Sequence, residues 1–234
     1  MKYRRVDGEF VDTTLDRVVV DELAGGLPVR EFRWYKGRRH YSGWYWSATV
    51  ERLVAYESRL ELARIMLADH DREVVAIAAQ PFQVIGQCAG RVRRHVPDLL
   101  LVGRDGGVRV VDVKAPSKVD DPMVAELFVW TGELVGWRGW RFEVWSGADR
   151  QLLDNVRFLA GYRRLTTIDT GLIPVVLGVA ADQPSIAAIE HVLRGKHPPL
   201  LVRPVVLHLL WTGRLRADLT RPLSADTSLW RDEV

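Results

Sequence analysis

Asp98, Asp112 and Lys114 are the residues of this chain whose types and spacing are best suited to chemistry. Two carboxylates can hold a hard divalent cation such as Mg²⁺ or Mn²⁺, and an ammonium beside them can orient a water or offset charge on a phosphate. They stand in the order Pro97-Asp98, then Asp112-Val113-Lys114, at the outer ends of two apolar runs, Leu99–Val102 and Val108–Val113. The Gly-rich segment between the runs, Gly103 to Gly107, predicts a hairpin. A register symmetric about that turn sets Val102 across from Val108 and, by the same count, Asp98 across from Asp112. Strand alternation then groups Val108, Val110, Asp112 and Lys114 on one face and Arg109, Val111 and Val113 on the other. Like charges facing each other at the end of an apolar sheet are unfavourable, and a bound cation is the simplest compensation. The plain alternative is a surface hairpin with solvated acids and a lysine guarding a sheet edge.

A third acid is expected upstream. Ser58-x-x-Glu61 is a capping-box pattern, and the apolar residues from Leu60 to Ala68 predict a helix that starts at Ser58 and is largely buried. Glu61 then either joins Asp98 and Asp112, as a ligand or as the orienter of a bound water, or reaches back to cap the backbone N–H of Ser58. Glu57 competes with it for the role of helix acid.

Two basic stretches are candidates for phosphate contact. Arg30 to Trp46 interleaves cations, Arg38 and Arg39 among them, with Phe32, Trp34, Tyr35, Tyr41, Trp44, Tyr45 and Trp46. That mixture can grip phosphates and stack on bases, or form a twisted ribbon of cross-strand aromatic pairs with solvated charges. Gly86 to Arg94 reads as a loop that carries Arg91, Arg93 and Arg94, followed by His95, into the approach to Asp98. A plain basic loop fits it nearly as well.

Composition narrows the classes. With 47% apolar and 27% charged residues the chain is neither disordered nor fibrous, and a formal charge of +3 permits nucleic-acid contact without demanding it. The single cysteine, Cys88, excludes an internal disulfide framework and a cysteine zinc cluster, so a reducing, cytoplasmic setting is expected. Acidic residues follow the basic N-terminus where a signal peptide needs an apolar region, and the run Leu172–Ala181 is too short to span a bilayer, so neither export nor a membrane is expected.

The remaining elements supply the frame. Residues up to Val29 predict a strand-like start and a helix or strand over Leu15–Val20, ended by Gly25-Gly26. Val74–Ala79 leads into a strand at Gln80–Val84, with Pro81 at a bend or edge. Asp121-Pro122 predicts an N-cap and first turn for a helix over Met123–Val135, Phe142–Trp145 a strand, and Leu152–Tyr162 a helix. Helix, strands, helix, strand, helix with one crossover implies an α/β fold with a mixed sheet flanked by helices. From about Leu165 a smaller helical region follows, with a helix from Pro184-Ser185 to Arg194, a second from Pro204 to Trp211, and a short strand near Leu215. The expected divisions are 1–48, 49–164 and 165–234.

Glu57 to Glu61, Gln80-Pro81, Pro97-Asp98, Asp112-Val113-Lys114, Gly139-Trp140 and Asn155-Val156-Arg157, in this order, resemble the TnsA-type endonuclease subunit of heteromeric transposases, within the PD-(D/E)xK nucleases. The resemblance covers about residues 57 to 163. It implies a restriction-endonuclease-like core, a winged-helix-like C-terminal region, and cleavage of the 5′ strands at transposon ends in double-stranded DNA. It further implies Mg²⁺ as cofactor, with Mn²⁺ an alternative, a nucleoid-associated location, and a DDE transposase and an ATPase regulator as partners. Matched residue by residue, the helix acid is Glu61, the strand acid Asp98 and the lysine Lys114. One departure is Asp112, where the family has glutamine, and it adds a second metal-binding acid. A stand-alone restriction or repair nuclease would show the same residues, and a non-catalytic DNA-binding or scaffold subunit would keep the acids for structural reasons.

Overall fold

The computed structural model describes residues 1–30, 41–88, 90–182 and 184–231. Its contacts divide the chain into two compact units, Met1–Gly147 and Ala148–Val234.

In the first unit, strands β1 (Lys2–Arg4) and β2 (Phe10–Asp12) pair antiparallel and helix α1 (Val20–Gly25) follows. The element expected over Leu15–Val20 therefore begins only at its last residue, and Gly26 closes it with an amide bonded to the Leu23 carbonyl. Residues 31–40, with Arg38, Arg39 and most of the cation–aromatic stretch, lie outside the described residues. The aromatics beyond them continue into β3 (Gly43–Ser47), paired antiparallel with β4 (Arg52–Tyr56). Helix α2 (Arg59–His70) starts where the capping box places it, with the Ser58 hydroxyl accepting the Glu61 N–H at 3.1 Å.

Strand β5 (Val74–Ala79) comes next, and then the first correction to the sequence reading. Gly86–Arg94 is not a loop, because β6 (Val84–Cys88) and β7 (Arg91–His95) pair in register from Val84–His95 to Cys88–Arg91. Gly86 makes this possible. A β-carbon there would come to 3.0 Å from the Trp130 indole, so the missing side chain lets the ribbon lie close on its support. The expected strand from Gln80 starts only at Val84, since Gln80 bends the chain with φ of 44°.

The hairpin at Gly103–Gly107 forms as expected. Strands β8 (Leu99–Gly103) and β9 (Val108–Val113) pair antiparallel with Val102 opposite Val108 and Leu99 opposite Val111. A short helix α3 (Pro116–Val119) precedes α4 (Pro122–Gly136), whose N-cap Asp121 accepts the Met123 and Val124 amides, and the chain returns as β10 (Arg141–Trp145). Strand β10 lies parallel to β9, so the principal sheet has the order β10-β9-β8-β5 with one parallel and two antiparallel pairings. This is a mixed α/β unit with a mixed sheet, as the order of elements implied.

The two faces of this sheet differ. Ala78, Leu100, Val108 and Val110 pack with Leu23 of α1, Trp130 and Val135 of α4, and Phe82 and Trp140. On the opposite face Arg64 of α2 makes two hydrogen bonds to the Glu143 carboxylate of β10, at 2.8 and 3.1 Å, and Arg109 of β9 adds a third at 3.3 Å. The C-terminal end of α2 is tied down by Asp69, which is buried. Its carboxylate accepts the Tyr45 and Ser47 hydroxyls at 2.8 and 2.5 Å and the Ala48 and Thr49 amides at 3.0 and 2.8 Å.

The second unit is helical: α5 (Arg150–Leu159), α6 (Ile173–Ala180), α7 (Ile186–Leu193) and α8 (Pro199–Trp211). Ser185 caps α7 as the sequence indicates. Helix α8 is a second correction, because it starts at Pro199 and runs through Pro204. A proline there deprives the Leu200 carbonyl of its helical donor, and Leu200 is 87% exposed, so water can supply one. In place of the strand expected near Leu215, the tail makes isolated bridges, Arg216 with Trp230 and Ser228 with Ser185. Asn155 holds this tail by donating to the Leu219 and Arg221 carbonyls at 2.8 and 2.7 Å. Among the described residues no helix is long and apolar enough to cross a membrane.

Removing the Asp69 carboxylate would strand four donors at once around a buried site. Asp69→Ala is expected to cost about 3 kcal/mol or more of folding stability, read as a lowered urea midpoint. A midpoint within error of the parent would show that these donors find water instead.

Candidate active site

The β8–β9 register decides what Asp98 and Asp112 share. Continued one step past the Leu99–Val111 pair, it sets the two acids across from each other at one end of the hairpin, with Lys114 just beyond. Lys114 also extends the parallel ladder, its N–H bonding to the Trp145 carbonyl at 2.9 Å, so its backbone is fixed.

Asp98 precedes β8 and turns its carboxylate onto the facing strand, where Oδ2 accepts the Val113 N–H at 2.7 Å. Burial, then the charges of Asp112 and Glu61, push the Asp98 carboxyl up from 3.8 to about 7, against the pull of the Val113 N–H and the Lys114 ammonium. The charges of Asp112, Glu61 and Lys114 are therefore all near enough to act on Asp98.

Asp112 is 2% exposed, and alternation carries it to the same face as Val110, the α4 side. There its Oδ2 meets Nε2 of His95, at the base of β7, at 2.7 Å. His95 is a site residue that sequence reasoning placed only in a basic loop. Its closeness to Pro97-Asp98 was visible, yet only the β6–β7 register turns its ring to Asp112.

Glu61 is half-buried in the first turn of α2, the helix that covers the opposite face. Both carboxylate oxygens serve the helix start: Oε2 accepts the Glu57 N–H at 2.8 Å and Oε1 the Ser58 hydroxyl at 2.9 Å. The cap thus reaches one residue further than the Ser58 amide considered from sequence. Burial raises the Glu61 pKa, as does the Glu57 charge, while the two cap hydrogen bonds and Lys114 lower it.

Among the described residues no group of three or more His, Cys, Asp or Glu is arranged to hold a metal ion. Mg²⁺ commonly takes one or two carboxylates and completes its shell with water and phosphate oxygens, so Asp98 and Asp112 form a donor pair that fits it in kind. Burial and, after it, the charges of Asp112 and Glu61 raise the Asp98 pKa, and the charge part of that strain is what a cation would relieve.

Gln80 is the second residue that the spacing alone did not single out for the site. It is 3% exposed, has positive φ, donates its N–H to the Asp98 carbonyl at 2.8 Å, and its side-chain oxygen is buried without a hydrogen-bond partner. Strained backbone beside paired acids is characteristic of functional sites. Of the basic residues expected at the site mouth, Arg93 is paired with Glu126 of α4, whereas Arg91 and Arg94 are exposed on the ribbon. Gly139, with φ of 77°, turns the chain into buried Trp140, and Asn155 serves the tail of the second unit.

No family model matches this chain, and no curated protein matches it.

The raised Asp98 pKa has a thermodynamic consequence. Between its unfolded value of 3.8 and the folded value of about 7, the native chain keeps a proton that the unfolded chain has released. Stability therefore falls as pH rises through that window and stays lower above it. Asp98→Asn is neutral throughout. It is expected to be more stable than the parent near pH 8, by up to ~4 kcal/mol, and equal to it near pH 4. Calorimetric melts at the two pH values check this, and a gain that did not vary with pH would contradict it.

Proposed function

We propose that this chain is a metal-dependent endodeoxyribonuclease with a restriction-endonuclease-like core, acting as the TnsA-like subunit of a heteromeric transposase that cuts the 5′ strands at transposon ends. The observation that carries the reading is the meeting of Asp98 and Asp112 at one end of the β8–β9 hairpin with Lys114 beside them, in the order Pro-Asp then Asp-x-Lys. The winged-helix-like assignment of the second unit, a DDE transposase and an ATPase regulator as partners, and a nucleoid-associated cytoplasmic location belong to the same proposal.

Phosphodiester hydrolysis needs charge neutralised on the scissile phosphate, a water made nucleophilic, and a stabilised leaving oxygen. A bound Mg²⁺ or Mn²⁺ supplies the first and acidifies a water. Asp98 and Asp112 are the residues that would hold such an ion, and its charge would favour the ionised form of Asp98. The Lys114 ammonium orients the attacking water and offsets negative charge as it grows on the phosphate oxygens. Glu61, locked by its two cap bonds, acts on the site through water. The water's oxygen bonds to phosphorus as the bond to the leaving oxygen breaks, and the proton the water loses is made good on the leaving oxygen by way of solvent.

A specific observation favours a second reading, a DNA-binding subunit that does not cut. Both Glu61 oxygens serve the helix cap and Asp112 is held by His95, which is what purely structural acids would show.

Nicking of supercoiled DNA in Mg²⁺ or Mn²⁺, abolished by chelation, separates the two. Lys114→Ala should retain metal binding by calorimetry yet cut roughly 10²–10³-fold more slowly, the range of a lost electrostatic stabiliser. Asp98→Ala should lose both. If no divalent cation supports cutting, with or without an added DDE transposase partner, the second reading stands. Strand-resolved cleavage of transposon-end DNA tests the subunit assignment.

A further inference from the structure

The β6–β7 ribbon has two faces of opposite character. Its inner face is anchored: Val84 is buried, Gly86 lies against Trp130, Arg93 pairs with Glu126, and His95 holds Asp112. Directly opposed residues of an antiparallel pair share a face, so the Ile85–Arg94 and Gln87–Val92 pairs form the outer one. All four are exposed, Val92 to 67% and Ile85 to 48%. Among the described residues β6 and β7 pair only with each other, Gln83 just before them bridging to Lys2 of β1, and Val84–His95 contains three arginines and a histidine but no acidic residue.

We infer that the outer face of this ribbon enters the major groove of duplex DNA and reads bases there, Arg94 and Gln87 through hydrogen bonds and Val92 through apolar contact, with Arg91, exposed at the ribbon's tip and opposed to Cys88 on the other face, gripping a phosphate at the groove's edge. This rests on the nuclease reading and adds the element that selects the sequence. The major groove admits a two-stranded β-ribbon, and its edges offer guanine acceptors to an arginine, an adenine edge to a glutamine and thymine methyl groups to a small aliphatic. Strands bare of acids and rich in arginine complement the duplex phosphates. Five-residue strands extend about 17 Å, or about five base pairs. Because His95 joins the base of the ribbon to Asp112, the bases read lie within about that distance of the phosphate cut.

The test uses the full chain and duplexes with a randomised window, scoring binding by selection and cutting separately in Mg²⁺. The parent is expected to prefer a short motif. Arg94→Ala and Gln87→Ala should each flatten the preference at one or two adjacent positions, by roughly ten- to a hundredfold for the best sequence, with unchanged melting temperatures. Arg91→Ala should weaken binding evenly across sequences and reduce the salt slope by about one unit. Variants that bind and cut with the parent's preference overturn the ribbon and leave the nuclease reading intact. A parent whose binding preference depends on the ribbon but which cuts in no divalent cation overturns the nuclease reading and keeps the ribbon. A parent with no affinity for duplex DNA overturns the inference.

Discussion

Two carboxylates share the end of one antiparallel pair, and much of the first unit can be understood as what makes that tolerable. Asp98 and Asp112 are placed together by the register of β8 against β9, strands buried on both faces: Leu100 and Val110 pack on one side, and Leu99 and Val111 are as fully buried on the other. That register brings an electrostatic conflict with it. The chain answers it in three ways, with an Asp98 pKa raised to about 7 so that its charge is only partly developed at neutral pH, a hydrogen bond from the Val113 amide, and His95 against Asp112.

Helix α2 brings in the third acid and is held more firmly than its packing alone would hold it. At one end the capping box closes on Glu61. In the middle Arg64 bridges to Glu143, and at the far end Asp69 gathers hydroxyl and amide donors from β3 and the turn after it. Glu61 is in consequence an acid whose position is set by structure whether or not it takes part in chemistry. Fixed groups of this kind need no reorganisation when charge develops nearby, which is why a cap and a catalytic support can be the same residue.

The ribbon joins these themes. It uses its inner face for packing and for Asp112, and it leaves its outer face to solvent. A loop with the same basic residues would present them in no fixed order. As paired strands, they become a surface with a definite spacing, attached to one of the two acids.

The hairpin, the capping box at Ser58, the Asp121 cap and the crossover from β9 to β10 were all legible in the residues, because each depends on local chemistry: strand alternation, turn glycines, and side chains that bond to their own backbone. The sequence therefore determined those elements and that Asp98 and Asp112 stand across from each other at one hairpin end with Lys114 just beyond, but not the β6–β7 ribbon, which reads as a basic loop. Only the tertiary structure decided that His95 meets Asp112, that Arg93 is tied up by Glu126, that Glu61 comes from the opposite face of the sheet, and that Gln80 bends beside Asp98. Those contacts join elements distant in the chain, and they follow from which face each helix covers and how closely Gly86 lets a ribbon approach Trp130, a matter of three-dimensional packing that no local pattern encodes.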